Sequence, residues 1–107
     1  MPTAVVHHAR VAWDFAQQAV AAAGDPTDGF AWFLAQLGAV LGPDHQRELL
    51  DTRDRIAREI RPDIRSVEIG RWRVRIEDML RAEPDLAVLI GALRLAARER
   101  FGAPTLA

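Results

Sequence analysis

Apolar residues recur at steps of three and four along most of this chain, and that rhythm is broken only where proline or glycine intervenes. Residues 6 to 23 show it most regularly, as Val6-Ala9-Trp13-Ala16-Val20-Ala23. Such spacing keeps one stripe on one side of a helix, and alanine at every second site lets a partner backbone come close. The pattern predicts a helix from Thr3 or Ala4 to Ala23, with Gly24 closing it as a left-handed cap. If that seam is the buried one, Ala16→Leu should overpack it, whereas Ala19→Leu, off the seam, should be milder.

Asp25-Pro26-Thr27-Asp28 then forms a connection, with Asp25 or Thr27 placed to cap the next helix. That second helix, about residues 27 to 41, is apolar almost all round from Phe30 to Leu41, so it needs cover on several sides. Gly42-Pro43-Asp44 ends it and starts a third, with Pro43 suited to the first turn. In the third helix Leu49, Ile56 and Ile60 mark one face, widened by Leu50 and Ala57, while Arg47-Asp51-Arg55-Glu59 forms a ladder of alternating sign in steps of four, with Asp54-Arg58 beside it. The ladder reads as a solvated face.

Pro62 interrupts the pattern. The segment after it can be read in two ways. Taken with period two, Val67 to Ile69 and Trp72 to Ile76 form a short strand or hairpin within 66–77. Taken as a helix, Ile69, Trp72, Ile76 and Met79 share a seam, Leu80 flanks it, and Arg73-Glu77 and Glu77-Arg81 pair at four residues. A strand would set Arg71, Arg73 and Arg75 side by side, and a lone hairpin among helices is marginal, so helix is favoured. After Glu83-Pro84-Asp85 a last helix carries Leu86, Leu89, Ile90, Leu93, Ala97 and Phe101 on one face and stops at Gly102-Ala103-Pro104.

These elements predict one all-α domain over residues 1–107, a compact bundle of four to five helices with short connections, frayed at 1–3 and 103–107. Composition narrows its chemistry. All fourteen basic residues are arginine, Ser66 is the only serine, and there is no Lys or Cys, a bias expected of a GC-rich bacterial genome. Disulfides, thiolate chemistry and Cys-based metal sites are excluded, as are a Schiff base and a Walker-type phosphate loop. The N-terminal residues lack the pattern of a secretory signal, and the Phe30 to Gly42 run is far short of the roughly 20 residues of a membrane span. The reading is a cytoplasmic protein without membrane attachment.

Candidate sites are few. His7, His8 and Asp14 lack metal-ligand spacing, because adjacent histidines on a helix point about 100° apart. They read as polar residues near a frayed end. His45 follows Asp44 at a helix start, where Asp serves as a cap and His is incidental. Asp25/Asp28 and Asp51/Asp54 read as turn and surface residues. Neither a Gly-x-Ser-x-Gly turn nor a glycine-rich phosphate loop occurs. No catalytic residue, cofactor or metal ligand is assigned.

Trp13, Trp32 and Trp72 fall one on each of three helices and read as core anchors, with a ligand pocket among Trp32, Phe33 and Trp72 as the alternative. Arg71-Trp72-Arg73-Val74-Arg75 is the best nucleic-acid candidate, but Glu68, Glu77 and Asp78 neutralise it. Charge points the same way: residues 1–44 hold one Arg against four Asp, and residues 45–107 hold thirteen Arg against eleven acids. That is too balanced for a dedicated phosphate-gripping face.

The stretch Ile69-Gly70-Arg71-Trp72 through Ile76-Glu77-Asp78-Met79-Leu80, then Glu83-Pro84-Asp85-Leu86 and Leu89, resembles a Gly-Arg-Trp, Leu-Glu-x-Leu-Leu, acidic-Pro-acidic-Leu cadence in small, uncharacterised all-helical proteins of GC-rich actinobacteria. The resemblance implies an accessory or effector-associated interaction module, and helix across Trp72. The resulting expectation is a non-enzymatic interaction or adaptor module, a homodimer or a domain docking a helical partner. Its interaction residues would be Val6, Ala9, Trp13, Ala16, Val20, Ala23, Trp32 and Phe33. A DNA-binding regulator using Arg71–Arg75, or a small-molecule-binding bundle, are the alternatives.

Overall fold

The computed structural model describes residues 4–102, with side chains from His8 onward. The expected fraying at 1–3 and 103–107 lies outside the described residues. Five helices follow one another: α1 (Ala4–Ala23), α2 (Gly29–Leu41), α3 (Pro43–Arg58), α4 (Ile64–Ala82) and α5 (Leu86–Phe101). None of the described residues is in a strand, so the hairpin alternative at 66–77 is overturned. The reason lies in the spacing: Trp72, Ile76 and Leu80 are buried while Val74 and Asp78 between them are exposed, a pattern that fits a helix and not the period of two of a strand. Arg73 and Glu77 pair across one turn at 3.2 Å.

The buried stripe of α1 is rotated from the predicted seam. It comprises Ala12, Phe15, Ala16, Ala19, Val20, Ala22 and Ala23, so Ala16, Val20 and Ala23 are inside as expected but Trp13 and Ala9 lie on the exposed side. Ala19, expected off the seam, is fully buried. The close helix approach that the alanines foretell is made within the chain: α1 packs most extensively on α4. Phe15 is the centre of this core, 5.9 Å from the Phe33 ring and in an edge-on contact with Trp72 at 6.4 Å.

The ends of the helices follow the local chemistry, with two departures. Gly24 is not left-handed, since positive φ among glycines occurs at Gly42 and Gly102. Instead Arg53 of α3 donates to the carbonyls of Ala23 and Asp25 at 3.0 and 2.9 Å, satisfying the C-terminal end of α1 with a cation. Its guanidinium also lies 4.2 Å from the centre of the Phe30 ring. Asp28 is the N-cap residue of α2 and makes no side-chain cap bond; the Thr27 hydroxyl before it accepts from the Gly29 N–H at 3.1 Å, and Thr27 in turn donates to Asp25. Gly42, with φ 96° and ψ 177°, occupies a region open essentially to glycine alone and turns the chain into Pro43.

Gly38 permits another close approach. A Cβ there would strike the Gln46 side chain, which crosses α2 to donate to the Leu34 carbonyl at 3.0 Å. On α3, Leu49 is buried and Ile56 half-buried, but the helix stops at Arg58 and Ile60 is outside it and exposed. No helix among the described residues is long and apolar enough to cross a membrane.

Candidate functional site

The predicted interaction residues do not form one surface. Ala16, Val20, Ala23 and Phe33 are consumed by the core. Trp32 is half-buried, its indole edge-on to Phe101 at 5.8 Å with the Arg100 guanidinium 5.3 Å from its centre. Ala9 is exposed and Trp13 is 44% exposed, while the Val6 side chain lies outside the described residues. The pocket imagined among Trp32, Phe33 and Trp72 is not formed either, since Phe33 and Trp72 are core residues. His8, expected to be exposed, is half-buried with its Nε2 shielded and unpartnered; the His7 side chain lies outside the described residues.

What the fold leaves open instead is the outer face of α5. Ile90, Leu93 and Ala97 turn inward. Opposite them Val88 is 76% exposed and Leu95 59%, with Ala92 exposed between them and Leu89 47% exposed at the flank. Residues 88, 92 and 95 are one and two turns apart, so they form a single apolar strip on the side away from the core. Leu89 was expected to be buried with Leu86 and Ile90, but its direction places it on the flank of this strip. Scattered surface leucines need no explanation, whereas Val88, Ala92 and Leu95 are gathered on one side of one helix.

A second feature is polar and runs between α3 and α4. These helices are antiparallel, as the pairs His45–Arg75, Thr52–Trp72 and Arg55–Glu68 show. Glu68 is 1% exposed, and Arg55 donates to both of its oxygens, through Nε at 2.9 Å and Nη2 at 2.8 Å. Arg55 Nη2 also donates to Glu48 at 2.8 Å. These bonds, those donated to Glu68 foremost, hold the guanidinium pKa above its ordinary value. Arg55 therefore leaves the expected ladder with Asp51 and Glu59 because a buried carboxylate demands a partner more strongly than a solvated one. Asp54–Arg58 does pair at the surface, at 3.1 Å.

Beside this pair the Trp72 indole N–H donates to the buried Thr52 hydroxyl at 2.9 Å, and that hydroxyl donates to the Glu48 carbonyl at 2.8 Å. His45 is also more than incidental. Its Nδ1 accepts from Arg75 Nε at 2.9 Å, which places the imidazole proton on Nε2. Burial first, then the Arg75 charge, push its pKa below the ordinary value.

The outer part of the seam opens into a groove of about 600 Å³ lined by Glu48, Gly70, Arg71, Trp72, Val74, Arg75 and Asp78. Arg71, Arg73 and Arg75 do not form a common basic face. Arg73 is tied to Glu77, and Arg71 and Arg75 flank the groove. The sequence did hold one signal for the seam: Glu68 sits in register with Trp72, Ile76 and Leu80, and an acid in a core stripe requires a buried cation. No family model matches this chain, and no similar curated protein or solved structure is found.

Proposed function

We propose that the protein is a helical interaction module that pairs with a second copy of itself through the outer face of α5. One observation carries this: Val88, Leu89, Ala92 and Leu95 form an uncovered apolar strip on a helix whose opposite side is fully packed. The strip is self-complementary in an antiparallel arrangement. A dyad between Gly91 and Ala92 would set Val88 against Leu95 of the other copy, with small residues at the crossing. It would also place Asp85 against Arg98, one acid against one base at each end, and both are exposed. Two-fold pairing of identical patches is the commonest solution for small soluble chains.

A single helix pair is a small interface beside the standard one of about 800 Å² per partner, so a reversible, concentration-dependent association is expected. The resemblance to interaction modules points the same way. Sedimentation velocity over a concentration series tests the reading. The unaltered chain should move from monomer to dimer, Leu95→Glu should remain monomeric, and Trp13→Asp should behave like the unaltered chain. A strict monomer at high micromolar concentration contradicts it, as does a dimer that Trp13→Asp abolishes and Leu95→Glu leaves intact.

A further inference from the structure

The polar seam is more than a staple between two helices, because its charges do not cancel at the groove. Glu68 gives both oxygens to Arg55. Arg71 comes no nearer to that carboxylate than 3.7 Å, beyond hydrogen-bond reach. Arg75 spends its Nε on His45, a neutral acceptor, and its Nη1 is 3.8 Å from Glu48. Three guanidiniums thus share two carboxylates, and the excess positive charge is on the two that face the groove. Asp78, which also lines the groove, is paired with Arg81. An Arg held by imidazole is positioned without being neutralised, which is what an anion site needs.

We propose that this groove binds a small organic phosphate monoester, its phosphoryl group held between Arg71 and Arg75 and its apolar body against the exposed Val74 side chain. Arg71 and Arg75 are four residues apart on α4, so their Cβ atoms lie about 5–6 Å from each other and both guanidiniums can reach one tetrahedral anion. A phosphate offers three terminal oxygens to two forks, whereas one carboxylate is satisfied by a single fork. The groove volume falls within the range of small-ligand sites. A Cβ added at Gly70 would meet nothing within 4 Å, so the floor is open on that side.

Calorimetric titration of the full chain with phenyl phosphate, inorganic phosphate, benzoate and a short DNA duplex tests the assignment. Phenyl phosphate should bind more tightly than either inorganic phosphate or benzoate. Arg71→Gln, at an exposed position that puts folding at no risk, should weaken it roughly ten- to a hundred-fold, the loss of one charged hydrogen bond. Arg75→Gln should do the same with an unchanged helical circular dichroism spectrum. Glu48→Gln should tighten it, since it removes a competing carboxylate, and a purely structural seam gives no reason for that gain. Equal binding of benzoate overturns the phosphate assignment, and isotherms unmoved by Arg71→Gln and Arg75→Gln overturn the site. Tighter, steeply salt-dependent binding of the duplex replaces the small ligand with a nucleic-acid surface.

Discussion

Helix α1 and helix α5 both carry apolar residues at three- and four-residue steps, yet one stripe is spent inside the chain and the other is left outside. The inward stripe of α1 is built from alanines around Phe15, small enough for α4 to pack along its length. On α5 the inner residues Ile90, Leu93 and Ala97 already meet the core, and Val88, Ala92 and Leu95 are a second stripe on the opposite side. Periodicity therefore reports a face wanting cover but not who covers it. On α1 substitution should cost stability and leave assembly alone; on α5's outer face the reverse should hold.

The largest effects are expected where the core closes. Phe15→Ala should destabilise the fold by about 3–5 kcal/mol, since it removes the ring that joins Phe33 and Trp72. Glu68→Ala should cost less, about 1–3 kcal/mol, because Arg55 loses its bidentate partner but keeps Glu48 and partial access to water. Urea unfolding of both variants measures this. A loss near zero for Phe15→Ala would mean that α1 buries a different face.

Next come the alanines. Ala16→Leu and Ala19→Leu are both fully buried sites, and each should lose about 1–3 kcal/mol by overpacking, rather than Ala16 alone. Thermal melts of the pair decide it: a damaging Ala16→Leu beside a neutral Ala19→Leu would restore the seam that runs through Trp13.

The smallest effect is the pH response of His45. Its folded pKa is depressed by burial and by Arg75, so the unfolded chain binds the proton more readily. This contribution to stability is complete above the ordinary histidine value of 6.5 and is lost as pH falls through the folded pKa. Melting temperature should therefore fall below neutral pH, and His45→Gln should remove that part of the slope. An unaltered slope in the variant would mean that another group supplies it.

Much of the fold was legible in the sequence because punctuation is local. Gly42-Pro43, Pro62, Glu83-Pro84 and Gly102 each act through their own backbone geometry, and each ends or starts a helix close to where it was placed. Helix across Trp72 followed from spacing and charge pairing. The rotation of α1 was not legible, because alanine counts as apolar everywhere and both the 9-13-16-20 and 12-15-19-22 stripes keep the same rhythm. Only the neighbour decides between them, and α4 lies far along the chain. The polar seam was hidden for the same reason. His45, Glu48, Thr52 and Arg55 look like surface residues until α4 brings Glu68, Trp72 and Arg75 beside them.

The division between an inward α1 and an outward α5 is tested most directly by cysteine trapping, which the absence of native cysteine makes clean. Ala92→Cys and Ala9→Cys each introduce one exposed thiol, the first at the expected dyad on α5 and the second on the seam first read from α1. Under mild oxidation at tens of micromolar, Ala92→Cys should form a disulfide-linked dimer rapidly and Ala9→Cys should not. Rapid dimer from Ala9→Cys, with Ala92→Cys remaining monomeric, would contradict the account and return the interface to α1.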